Sequence, residues 1–222
     1  MKDAKRSVFA YWGVELGRYQ CTPCSLTDKH QTIVYIRSGD IFTTTPEKSY
    51  GQPPLDFFVK AIKQTGARSI TIASQDWGNP VLKALQSSNL TSSGEYSIDF
   101  QVGGDNYEAI LKMIFCAQTL ITGVTSMLTM SSYSPNLEEF YLGRVNYHGK
   151  LSNWQIPHAV GGRHLLPVLA NPKVHGYIAG DYSPYKSWLN TPEQLDEMIN
   201  YRNGKLVRLD LLVDDDSLRK RF

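Results

Sequence analysis

Arg37, Ser38, Gly39 and Asp40 follow one another directly after an apolar pentapeptide in the stretch TIVYIRSGDIF, residues 32–42. A guanidinium is permanently charged and presents a planar fork of donors that matches a pair of phosphate oxygens. Glycine lets the chain turn tightly beside it, and Asp40 is placed to hold either the arginine or a ligand hydroxyl. Two more polar sets stand in the same setting: Ser74, Gln75 and Asp76 follow SITIA, and Thr122, Thr125 and Ser126 follow TLI. In TGVTSML the chain leaves a strand through Gly123 and starts a helix on Thr125 or Ser126, so backbone N–H groups and hydroxyls make an anion site. Each set alone has a plainer explanation. An Arg beside an Asp in a loop is ordinarily a surface ion pair worth under about 1 kcal/mol, and a Ser or Thr at a helix start is ordinarily a cap. Convergence of all three on one sheet edge is what points to a nucleotide or nucleotide-sugar site.

That convergence needs a scaffold, and the order of elements supplies one. SVFAYWGV reads as a first strand and TIVYI as a second, both rich in β-branched and aromatic residues. PPLDFFVKAIKQTG has prolines at its entry, apolar residues at Leu55, Phe58, Val59 and Ile62, and Gly66 past its end, which marks a helix. SITIAS follows as a buried strand, NPVLKALQSS as a helix and YSIDFQV as a short strand. DNYEAILKMIFCAQ is then a helix with Asp105 as its cap, TLITGV a strand and SMLTMSSY a helix start. Alternation at this spacing predicts an α/β domain in which residues 32–135 form a mostly parallel, twisted sheet with helices on both faces. Open sheets of this kind bind ligands at the carboxyl ends of their strands. Residues from Gly143 to Gly180 read as loop-rich, TPEQLDEMINYRNG as a capped helix and KLVRLDLLV as a final strand.

Composition narrows the classes further. The 222 residues are 41% hydrophobic and 20% charged, enough for one large domain or two small lobes. Lys plus Arg number 23 against 21 Asp plus Glu, and the only short basic block is RKR at 219–221. A nucleic-acid partner is not expected, because such binding needs a basic face. No apolar run is long enough for a membrane span, and MKDAKRSVFAYWGV does not read as a signal peptide. A cytoplasmic location follows as an expectation, and the odd count of three cysteines fits it. Cys21 and Cys24 form one CxxC, but a zinc site needs two further ligands and only Cys116 and five scattered histidines are on offer. The expected metal set is none.

YIRSGD resembles the HxRxGD motif of GT-B glycosyltransferases of the fucosyltransferase type, the superfamily of bacterial and plant fucosyltransferases and protein O-fucosyltransferases. ITIASQD is similar to that superfamily's second motif, and GGDNYEAILKMIFCAQTLITGVTSM to its third. The similarity covers residues 32–130. It implies a Rossmann-like sheet in a reduced GT-B-like architecture, with residues 32–135 as the donor-binding core and residues 1–31 and 136–222 as a reduced acceptor side and packing elements. It further implies that Arg37, with Ser38 and Gly39, contacts the donor diphosphate. Ser74, Gln75 and Asp76 would line the base and ribose pocket, Asp105 would precede the third-motif helix, and Thr125 with Ser126 would cradle the diphosphate. Two departures stand out: the motif histidine is Tyr35 here, and the chain is shorter than a usual two-domain enzyme of this type. A narrower resemblance is to the rhamnose-transferring domains of multidomain chlorovirus proteins that join glycosyltransferase and methyltransferase domains. It implies a viral protein acting in the host cytoplasm, excised from a longer polypeptide with covalent neighbour domains.

The activity that the resemblance implies is transfer of a 6-deoxy-L-hexose, L-rhamnose or L-fucose, from UDP-rhamnose or GDP-fucose to a glycan hydroxyl. No cofactor beyond the nucleotide-sugar donor is expected. Arg37 and a helix N-terminus would stabilise the departing diphosphate without metal, and Glu15 or Asp40 would take the acceptor's proton. The acidic triplet Asp214, Asp215 and Asp216 has only six residues after it, which favours a solvated charge cluster over a metal motif. Trp12, Trp77, Trp154, Tyr182, Tyr185 and Trp188 stand in polar loops where a ring can stack on a sugar or base. The competing class is a non-catalytic nucleotide-sugar or glycan-binding module. A hydrolase with a strand-end nucleophile is disfavoured, since neither G-x-S-x-G nor a P-loop sequence is present.

Overall fold

The computed structural model describes residues 32–46, 48, 51–103, 107–123, 125, 136–145 and 172–209. Glu15, Asp105, Ser126, Cys21, Cys24, Trp12, Trp154, Asp214, Asp215 and Asp216 lie outside them, as do the segments SVFAYWGV and SMLTMSSY.

Strands β1 (Thr32–Ile36), β2 (Ser69–Ser74), β3 (Ser97–Val102), β4 (Thr119–Thr122), β5 (Glu139–Val145), β6 (Lys173–Ile178) and β7 (Lys205–Arg208) join one seven-stranded sheet in the order β3-β2-β1-β4-β5-β6-β7. Strands β1 to β6 are mutually parallel and β7 runs antiparallel to β6. This is an α/β Rossmann-like sheet. Its order reverses at β1, which has β2 on one side and β4 on the other, so the carboxyl ends of β1 and β4 flank the crevice where such sheets take ligands.

Helices are α1 (Leu55–Thr65), α2 (Pro80–Gln86), α3 (Asn89–Ser92), α4 (Tyr107–Cys116), α5 (Ser183–Lys186) and α6 (Pro192–Asn200). Alternation along β1 divides the core in two. Ile33 and Tyr35 pack with Ile110, Ile114 and Phe115 of α4. Val34 and Ile36 pack with Phe58 and Ile62 of α1, Leu82 of α2 and Met198 of α6. All five residues of β1 are buried, as a central strand covered on both faces requires. Strand β3 is the edge: Ile98, Phe100 and Val102 lean on the core, while Ser97, Asp99 and Gln101 are exposed and polar, which discourages edge-to-edge pairing.

Local signals work as read. Pro54 precedes α1 and Gly66 ends it in the left-handed conformation at φ 67°. The Thr191 side chain caps α6 by accepting from the Gln194 N–H, with Pro192 in the first turn.

The loop-rich reading of residues 143–180 is corrected at its two ends, where β5 closes and β6 lies, and both strands extend the sheet beyond residue 135; residues 146–171 lie outside the described residues. EFYLGRV and KVHGYI carry glycines and a histidine that interrupt an apolar run, yet tertiary packing accounts for Gly143 and His175. A Cβ at Gly143 would stand 2.5 Å from Pro53 Cγ and 3.1 Å from Phe57, so a glycine there admits the segment before α1 onto the strand. His175 stacks on Tyr141 at 4.4 Å and makes a 3.1 Å hydrogen bond through Nδ1 with Gln64 Nε2.

Cys116, the last residue of α4, is disulfide-bonded. No described helix is long and apolar enough to cross a membrane.

The Gly143→Ala variant should lose about 1–3 kcal/mol of stability by overpacking. Urea unfolding should show a lower midpoint with an unchanged slope. An unchanged midpoint would mean that Pro53 yields and does not constrain β5.

Candidate functional site at the carboxyl ends of the strands

The site begins where β1 stops. Ile36 pairs with Ser74, so Arg37 and Gln75 leave their strands together, and Tyr35 pairs with Thr122 across the reversal point. Gly39 then takes φ 72°, a backbone state that costs glycine nothing, and Gly39–Phe42 form one 3-10 turn. The turn brings Asp40 back to Arg37: one guanidinium nitrogen donates to Asp40 Oδ2 at 2.9 Å and to Oδ1 at 3.2 Å. The Arg37 side chain is 15% exposed and that of Asp40 is 72%. With one partner so solvated, the pair adds at most about 1 kcal/mol, and its consequence is orientation of the cation at the strand end.

Beneath this pair, two loops are tied together. Fully buried Ser38 donates from Oγ to Asp76 Oδ1 at 2.5 Å, and the same oxygen accepts the Gly78 N–H at 2.6 Å. Ser74 Oγ donates to the Asp76 carbonyl at 3.1 Å. Asn79, also buried, caps α2 by accepting the Val81 N–H at 2.8 Å and donates from Nδ2 to the Arg37 carbonyl at 2.8 Å. The β1 and β2 exits are thereby one rigid unit. A Cβ at Gly39 would stand 3.4 Å from both Gln75 Oε1 and Asp76 Oδ2, and one at Gly78 would stand 2.7 Å from Asp76 Oδ1.

Of the predicted residues, Arg37, Ser38, Gly39, Asp40, Ser74, Gln75 and Asp76 are brought together. Their division of labour differs from expectation: the Ser38 and Ser74 hydroxyls are engaged within the protein, and the largely covered Arg37 side chain is paired with the exposed Asp40. From the third set, Thr122 and Thr125 are buried, and the Thr122 hydroxyl donates to the Gly123 carbonyl at 3.4 Å. Tyr35, at the place of the motif histidine, is buried against α4, so this position serves the core.

The aromatic candidates separate cleanly. Trp188 is fully buried, donates from Nε1 to the Ile41 carbonyl at 2.7 Å and meets Phe42 edge-on at 5.8 Å. Tyr182 and Tyr185 are buried against each other. The sequence singles out none of the six aromatics, since most aromatics are core; these three are core residues, and Trp188 anchors the turn that follows Arg37. Trp77 is 37% exposed.

Sequence reasoning missed the parts that four residues play in shaping the site. An Asn before a Pro at a helix start is a legible cap, so Asn79 had a local signal for half of its role. Gly78, Pro53 and Trp188 had none, because each acts through a partner distant in the chain. Pro53 covers the exits of β4 and β5, where a Cβ at Gly123 would stand 2.7 Å from its Cγ. The segment carrying Pro53 is pinned in turn by Asp56 in the first turn of α1. That carboxylate accepts from Lys60 Nζ and from the Tyr177 hydroxyl, both at 2.6 Å. Burial, and the hydrogen bond it donates to Asp56, push the Tyr177 phenol far above its ordinary pKa, so it remains a donor.

Among the described residues no group of His, Cys, Asp and Glu is arranged to hold a metal ion. A cavity of about 890 Å³ is lined by Lys60, Lys63, Arg202 and Lys205 among others. None of the predicted site residues lines it. Comparison of the chain with protein families, with curated proteins and with solved structures found no match.

Asn79→Asp separates the two bonds of Asn79. It retains a cap for α2 but cannot donate to the Arg37 carbonyl, and it should cost about 1–3 kcal/mol. Thermal unfolding of this variant beside Asn79→Ala reads the difference; an Asp variant as stable as the wild type would mean that the bond to Arg37 holds nothing.

Proposed function

We propose that the protein is a glycosyltransferase that moves a 6-deoxy-L-hexose, L-rhamnose or L-fucose, from a UDP or GDP donor to a glycan hydroxyl. The observation that carries this reading is the Arg37–Asp40 turn, a cation held at the exit of β1 where the strand order reverses. Ligands of open α/β sheets bind at this place. The resemblance of YIRSGD to the HxRxGD motif points to the same ligand, a nucleotide sugar of the donors used by GT-B enzymes of the fucosyltransferase type.

In such a transfer the bond between the anomeric carbon and a diphosphate oxygen breaks, and its electron pair stays on that oxygen. Arg37 would meet the developing charge, and a fixed donor of this kind is commonly worth about 10² to 10³ in rate. The acceptor oxygen forms the new bond and its proton passes to a carboxylate. Asp40 lies against the Arg37 guanidinium through both oxygens, which favours a positioning role for it and leaves Glu15 as the candidate base. The acceptor would be a glycan, and the donor itself the only small-molecule requirement. The rhamnose-transferring and viral reading rests on the narrower resemblance alone.

Thermal-shift titration of wild type and Arg37→Ala with UDP, GDP, UDP-rhamnose and GDP-fucose, with Mg²⁺ and with a chelator, tests the donor site. The expected result is stabilisation by one nucleotide family, independent of metal and lost in Arg37→Ala. Incubation of the stabilising nucleotide sugar with glycan acceptors then separates a transferase from a binding module. No shift with any of the four would reduce Arg37 and Asp40 to a structural ion pair.

A further inference from the structure

We infer that Trp77 is the platform on which the base of a nucleoside diphosphate stacks, with the diphosphate at Arg37; this inference rests on the donor-site reading above and extends it. Two large apolar side chains are exposed among the described residues, Trp77 and Leu189, and only Trp77 belongs to the loop joined to Arg37. Its neighbours on both sides are immobilised. Asp76 is held through its carbonyl by Ser74 and through its carboxylate by Ser38 and Gly78, and Asn79 is held to the Arg37 carbonyl. Phe100 of β3 backs the indole with ring centroids 5.8 Å apart and planes 32° apart. An aromatic ring fixed in advance binds with little further loss of conformational freedom.

Position along the sheet edge favours the base as the occupant. Arg37 marks the exit of β1, whereas Phe100 lies on β3, two strands away. Trp77 follows β2, the strand between, and its indole meets Phe100, so the ring lies on the β3 side of its loop, away from Arg37, with the ribose expected between them. Asp76 stands in that interval, beside Gly39. Base-on-indole stacking is tolerant of base identity, so Trp77 supplies affinity for uracil or guanine alike.

Isothermal titration of the full chain with UDP, GDP and inorganic pyrophosphate provides the test, comparing wild type with Trp77→Leu and Trp77→Phe. Leucine keeps apolar contact with Phe100 but removes the ring. The expected result is that Trp77→Leu weakens the bound nucleotide by about fivefold to a hundredfold, leaves pyrophosphate affinity unchanged, and that phenylalanine restores most of the loss. Nucleotide binding unaltered in Trp77→Leu would overturn the stacking role while leaving the donor site intact. Equal weakening of nucleotide and pyrophosphate would also overturn it, since it would report a disturbed loop. A wild type that binds neither nucleotide would overturn the donor-site reading and the platform with it.

Discussion

The carboxylate of Asp76 is the constraint on which the strand-end region depends. One of its oxygens receives both the Ser38 hydroxyl and the Gly78 N–H, so the loop after β1 cannot move without the loop after β2. Charge-assisted bonds of this kind are about twice as strong as neutral ones. Asn79 adds a second tie by joining the Arg37 carbonyl to the start of α2. The pair of ties turns two separate loops into a platform, and the exposed Arg37, Asp40 and Trp77 side chains are mounted on it.

Around this platform the remaining parts act as braces. Trp188 donates to the Ile41 carbonyl within the 3-10 turn and Asn190 to the Thr43 carbonyl just past it, which ties the C-terminal third of the described fold to the segment after β1. Pro53 closes on the exits of β4 and β5, and the glycines beneath it are small because a side chain would collide. Asp56, Tyr177 and Lys60 hold the beginning of α1, with Lys60 reaching on to the carbonyls of Arg202 and Gly204 at 3.2 and 2.8 Å. A ligand at the crevice would therefore meet groups whose positions are set before it arrives, the condition under which fixed charges act most strongly on a reacting centre.

The placement of polar groups also separates support from contact. Ser38 and Ser74 are chemically suited to a phosphate, yet burial directs their hydroxyls to the protein's own carboxylate and carbonyl. Arg37 and Trp77 keep surface exposure. If Arg37 and Trp77 contact a ligand as proposed, the serines supply the rigidity that a preorganised site requires.

Much of the scaffold was legible in the sequence. TIVYI, SITIAS and the helix between them follow from β-branched runs, apolar spacing and the Pro and Gly signals at the helix ends, all local properties. The chemistry at the exit of β1 was legible too, since Arg37 and Asp40 are only three residues apart and Gly39 permits the turn. Strands β5 and β6 were not, because Gly143 and His175 are explained by Pro53, Tyr141 and Gln64, residues remote in the chain. Nor could sequence distinguish Trp77 from Trp188: both are indoles beside polar loops, and only packing exposes one and buries the other. The sequence by itself determined the alternation of elements and the charged turn. Tertiary structure decided which polar groups are buried in ties between loops and which stay accessible, because burial and the partners at strand exits are set by chain segments that meet only when the sheet is assembled.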